Sequence, residues 1–157
     1  MRKVFLTFIL LIVLAGCSPV NLDEGASQAK STLMDFHAAL NAGEYQQASS
    51  LYGGSYEILQ DMNPGQAPDD FPALWQSACT MNGFQCLMVK RVDSTEQINE
   101  DEFRFTIEYQ NADGSTFELG PCCGGSEIDS PRITRFTVKV NRINGHFKVM
   151  DLPPYVP

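Results

Sequence analysis

Residues 102–110 read EFRFTIEYQ. Phe103, Phe105, Ile107 and Tyr109 alternate strictly with Arg104, Thr106, Glu108 and Gln110. Successive side chains of a β-strand point to opposite faces, so this run predicts a strand with one apolar and one wet face. A strand of that kind belongs to an antiparallel sheet covered on one side only. The rest of the chain must supply its neighbours and its cover.

The neighbours lie on both sides. Residues 86–93 predict a first strand, and 102–110 is the second. The turn NADG (111–114) leads to a third, with Phe117 and Leu119 inward. RITRFTVKVNRI (132–143) predicts a fourth, with Phe136, Val138 and Val140 on one face. Asn144-Gly145 is a two-residue hairpin signal, because both positions of that tight turn need a positive φ. HFKVMDL (146–152) is then the fifth, closed by Pro153 and Pro154.

The cover comes from the N-terminal half. In ASQAKSTLMDFHAALNAG (26–43), Ala29, Leu33, Phe36 and Leu40 recur at helical spacing, and Gly43 is a stop. Tyr45, Ala48, Leu51 and Tyr52 mark a second short helix ending at Gly53-Gly54. Residues 55–68 read as a loop with room for one helical turn. Asp69 or Asp70 then caps a third helix, FPALWQSACTMN (71–82), whose apolar face is Phe71, Leu74, Trp75 and Ala78. Three helices followed by an antiparallel meander of about five strands is an α+β pattern.

FHAALNAGEYQQASSLY (36–52), the helix at 71–82, the strands and the late INGHFKVMDL (143–152) together resemble nuclear transport factor 2-like domains over roughly residues 26–152. The resemblance implies an α+β cone, also called cystatin-like, in which a curled sheet wraps a long helix around a conical interior. Members of that family include isomerases, dehydratases, ligand carriers and many exported lipoproteins without known activity, so the fold alone selects no function.

The N-terminus supplies an address. Arg2 and Lys3 precede an apolar run, Val4 to Leu14, too short for an ordinary membrane span. It ends in Leu14-Ala15-Gly16-Cys17, which resembles a bacterial lipobox. The resemblance implies a signal peptide at 1–16, a diacylglyceryl thioether and palmitate at Cys17, and a tether at 17–25 before a single domain at 26–157. Ser18 after the lipidated cysteine favours the outer membrane in a Gram-negative cell. Removal of residues 1–16 leaves 141 residues and takes the formal charge from −8 to −10, since Arg2 and Lys3 go with them. Such acidity argues against nucleic acid as a partner. It leaves the membrane, reached through the lipid anchor, and a small apolar ligand or a protein partner.

Chemistry-bearing residues are few. His37 lies beside the Leu33–Phe36–Leu40 stripe and reads either as a border of the cone or as a half-exposed helix residue; the second is the expectation. His146 follows the hairpin turn and reads as exposed. Asp151 is the nearest acidic candidate, with a backbone hydrogen bond as its expected role. Trp75, Phe105, Tyr109 and Phe136 either line a ligand cavity or fill the space between helix and sheet, and a domain of this size favours filling. No residue stands out as catalytic or as a metal ligand, and no cofactor motif is evident.

Four cysteines remain beyond Cys17, an even number that favours oxidation in an exported chain. A plain meander puts Cys86 and Cys122 at opposite ends of the sheet, which permits Cys79–Cys86. Adjacent Cys122 and Cys123, in ELGPCCGGSEI (118–128), are then a strained vicinal pair or a free dithiol. Cross-links between the two pairs, and a soft-metal site, remain open. The expected function is a membrane-anchored, non-catalytic binding or interaction module. The alternatives are an isomerase or dehydratase acting through a residue in the cone, and thiol or metal chemistry at Cys122-Cys123.

Overall fold

The computed structural model describes residues 22–120 and 131–157. Its fold is α+β. Four helices, α1 (Leu22–Ala42), α2 (Tyr45–Leu51), α3 (Glu57–Met62) and α4 (Phe71–Thr80), precede four strands. The strands, β1 (Met88–Asn99), β2 (Glu102–Gln110), β3 (Phe136–Ile143) and β4 (His146–Val149), form one antiparallel sheet in sequence order. Helix α1 lies against one face of the sheet, α2 packs on α1 and touches β4, and α4 packs on α2 with α3 beside it, an arrangement that fits the expected cone.

Strand β2 is the sheet's apolar spine. Phe103, Phe105, Ile107 and Tyr109 are all buried, and α1 covers them with Ala29, Leu33, Phe36 and Leu40. Register shifts at three places along β1 curl that edge strand. Each bulge adds local twist and bends the strand, so the sheet wraps the helix instead of lying flat against it.

Local signals end the elements where expected. Gly43 adopts φ 76°, and its N–H and that of Glu44 bond back to Leu40 and Ala39, closing the C-terminus of α1. Asn144 and Gly145 both have positive φ, at 52° and 82°, in the two-residue turn between β3 and β4. The carboxylate of Asp70 accepts from the Ala73 N–H and caps α4.

The structure departs from expectation in five places. The first strand, expected over 86–93, runs from Met88 to Asn99. Helix α1 begins at Leu22, inside the segment read as tether at 17–25. Gly25 is buried there, and a Cβ on it would touch the Phe103 ring at 3.5 Å. Glycine lowers helix propensity, which hid this turn, but Glu24 suits a helix N-terminus and the packing on Phe103 does the rest. A short helix, α3, occupies part of the expected loop and buries Leu59 completely.

The expected third strand is reduced to single bridges, Gln110 with Thr116 and Leu119 with Ile133. Strand β3 takes the edge of β2 from Glu102 to Ile107, so only the last residues of β2 remain for 116–117. Finally, the last strand stops at Val149. There the Asp151 carboxylate, in place of a further backbone carbonyl, accepts the Lys139 N–H at 2.6 Å.

Two further ties close the molecule. Cys79 in α4 is bonded to Cys86 just before β1, with Cα atoms 5.4 Å apart. The C-terminal tail pairs with this loop through Gln85 N–H to Pro154 O and Val156 N–H to Gly83 O. The disulfide closes a short loop, so its effect on the unfolded chain is modest. Double replacement, Cys79→Ala with Cys86→Ala, is expected to cost about 2–3 kcal/mol in urea unfolding. A midpoint unmoved both by the substitutions and by reductant would contradict the bond's structural role.

Candidate functional site

The inner side of α1 and the C-terminal half of β2 bring His37 and Tyr109 together. Leu33, Phe36, His37 and Leu40 occupy one helical face at i, i+3, i+4 and i+7, which turns the imidazole inward with its apolar neighbours. His37 is 1% exposed, neither a cone border nor a half-exposed helix residue. The spacing that predicts α1 already marks it as a face residue. Its Nε2 lies 3.3 Å from the Tyr109 hydroxyl, and the two rings meet edge-on with centroids 5.0 Å apart.

Burial controls the protonation of this pair. Taking an imidazolium out of water is costly, so the His37 pKa falls to about 3 and the ring is neutral at physiological pH. Burial raises the Tyr109 hydroxyl, and the negative charge of Asp151 raises it further. The phenol therefore stays protonated. Nδ1 of His37 has no hydrogen-bond partner. At physiological pH the pair is therefore a neutral imidazole and a neutral phenol, both buried.

The aromatic residues make a continuous cluster beside this pair. Trp75 is fully buried, and its indole N–H donates to the Tyr56 hydroxyl at 3.1 Å. Its ring meets Phe36 and Tyr52 edge-on, at centroid distances of 5.5 and 5.0 Å. Phe105 is fully buried on β2. Phe136 packs against Tyr109 and Phe117 as the half-buried edge of the same core. The sequence marks Tyr52 only as a helix-face residue and gives Tyr56 no role, yet the fold places both rings against Trp75.

Asp151 is half-buried at the end of β4 and is committed to the Lys139 backbone N–H. His146 is exposed on the outer end of the sheet, away from His37. Cys17, Cys122 and Cys123 lie outside the described residues.

Clefts occur on the surface instead. One of about 890 Å³ runs between α2 and the start of α4, lined by Tyr45, Gln46, Gln47, Ser50, Asp70 and Gln76. Another, of about 450 Å³, lies against the disulfide and includes Asn41, Thr80 and Gln85. The outer face of the sheet carries an ion-pair chain. Arg91 bonds Glu108 at 2.9 Å and Asp93 at 2.7 Å, and Arg135 reaches Asp93 at 2.9 Å. It ties β1 to the segment entering β3. Arg91 and Glu108 face each other in register, a cross-strand pair of the kind that stabilises a sheet modestly.

Comparison with known proteins gives an address and a likeness. Residues 1–18 match the family model of the prokaryotic membrane lipoprotein lipid attachment site. The chain is therefore a membrane-anchored lipoprotein of the cell envelope. No curated protein matches it. Among solved structures it is similar to a protein from Streptomyces avermitilis described as a candidate dehydratase of the nuclear transport factor 2-like family. The two share 14% identity with a TM-score of 0.46, over 85% of this chain and 99% of that one.

Proposed function

We propose that this chain is a non-catalytic binding module held at the envelope membrane by lipid on Cys17, and that it engages a protein partner through its surface. The interior carries the reading: His37 is sealed against Tyr109 among packed aromatic rings. A small apolar ligand would have to displace Trp75, Phe105 or Tyr109 to enter, which favours a macromolecular partner at the surface.

In this reading the signal peptide is cleaved before Cys17, whose sulfur takes a diacylglyceryl group and whose new amine takes a palmitoyl chain. More than one acyl chain makes the anchoring stable. Ser18 directs the mature protein to the outer membrane if the cell is Gram-negative. The enzyme alternative requires water to reach His37 or Asp151. The thiol alternative rests on Cys122 and Cys123.

Two experiments test the proposal. Cys17→Ser is expected to abolish palmitate labelling and release the protein from the membrane fraction; a variant that stays membrane-bound contradicts the anchor. Diethyl pyrocarbonate at neutral pH is expected to modify His146 and spare His37 in the native protein. Comparable modification of both would overturn the sealed interior and restore the enzyme reading.

A further inference from the structure

We propose that one end of the domain, formed by the start of α1 and the two hairpin turns, rests on the phospholipid surface, with Ile98 and Ile143 as its contact points. The proposal builds on the lipid anchor at Cys17.

Covalent length sets the geometry. Only four residues separate Cys17 from Leu22, where α1 begins, so the five Cα–Cα steps between them span at most about 17 Å. Helix α1 has 21 residues and is about 31 Å long. Its two ends are therefore not equivalent with respect to the bilayer.

The near end is defined by contacts. Gly25 sits on the Phe103 ring, and Arg142 lies beside it. The Arg142 N–H donates to the Asp101 carbonyl at 2.7 Å, joining the β1–β2 turn to the strand that enters the β3–β4 turn. Both hairpin turns thus lie at the start of α1. The far end holds Asn41, whose amide donates to the Cys86 carbonyl, together with Met88 opposite Gln110.

At the near end, Ile98 is 39% exposed and Ile143 is 36% exposed. They sit on β1 and β3, two strand spacings or about 10 Å apart across the sheet, with Ile143 two to three residues further toward its turn. The charges around them are mixed and tend to acidic. Glu24, Glu100, Asp101 and Glu102 lie there with Arg104, Arg142 and Lys148; Arg142 is paired to Asp101 at 3.4 Å and Arg104 to Glu102 at 3.6 Å. That balance fits a zwitterionic surface and disfavours an anionic one. The acyl chains supply the affinity, and two isoleucines fix the tilt. The disulfide loop and the α1–α2 corner then point away from the membrane, where a partner can reach them.

The test uses the full lipidated protein in phosphatidylethanolamine–phosphatidylcholine vesicles with brominated acyl chains. Ile143→Trp is expected to lose emission relative to the same protein in unbrominated vesicles, and Ile98→Trp to do so independently. Met88→Trp, at the far end, is expected to keep its emission, as is the buried Trp75. Flotation of the protein with both near-end indoles unquenched, or with Met88→Trp quenched equally, overturns the orientation alone. Failure of the chain to float with the vesicles overturns the anchor and the orientation with it.

Discussion

Trp75→Ala is expected to destabilise the domain by about 3–5 kcal/mol, a large fraction of the stability of a domain this size. The indole is completely buried and holds Phe36, Tyr52 and Tyr56 around it, so its removal leaves a void bounded by rings from α1 and from the segment joining α2 to α3. Rings of that size on separate elements cannot collapse inward without moving their backbones. The Tyr56 hydroxyl also loses the indole N–H. Trp75→Phe keeps a ring against Phe36 and Tyr52 and gives up mainly the hydrogen bond, for about 1 kcal/mol plus a smaller void. Urea unfolding of the two variants separates a filled cone from an open one. A cost for Trp75→Ala below about 1 kcal/mol would mean that the indole lines a cavity and was never packed.

Acid is expected to act through one residue. His37 has an ordinary pKa near 6.5 in the unfolded chain and about 3 in the folded one. Its folded pKa is depressed, so the fold favours the neutral ring. The associated stability is complete above pH 6.5. Below it, the unfolded chain takes up a proton that the native chain refuses. The loss accumulates at about 1.4 kcal/mol per pH unit and reaches about 3 kcal/mol by pH 4. His37→Phe keeps an aromatic ring in place and removes the titration. Between pH 6.5 and 4, unfolding free energies of the parent should therefore fall more steeply than those of His37→Phe. Parallel curves would show that His37 is protonated as easily in the native protein as in the unfolded one.

Much of this architecture was legible because single residues carry strong local rules. The alternation in EFRFTIEYQ fixes one strand and the face it buries. Gly43, Asp70 and Asn144-Gly145 each mark a boundary through a conformation or a hydrogen bond that few other residues supply. A plain meander permits Cys79 to pair with Cys86 without excluding other pairings, and the structure holds that bond.

What escaped the sequence depends on partners distant in the chain. The first turn of α1 exists because Gly25 can lie against Phe103, which a polar stretch such as Leu22–Gly25 does not announce. Residues 115–119 look like a strand, but β3 occupies the edge they would need. His37 shares the apolar face of α1 by spacing; whether that edge is buried depends on how far the sheet curls, and the bulges that set the curl have no sequence mark. The site was therefore less visible than the fold. Trp75, Phe105 and Tyr109 are core, the filling that a domain of this size favours, and His37 is buried with them where its position beside the stripe suggested a half-exposed residue.

The most direct measurement is the titration of the His37 imidazole by ¹H–¹⁵N NMR in the folded protein. A sealed histidine should hold one neutral tautomer from pH 7.5 down to the onset of acid unfolding. An imidazole at position 37 that takes up a proton reversibly near pH 6.5, with the fold intact, would place water in the cone and contradict the packed, non-catalytic interior.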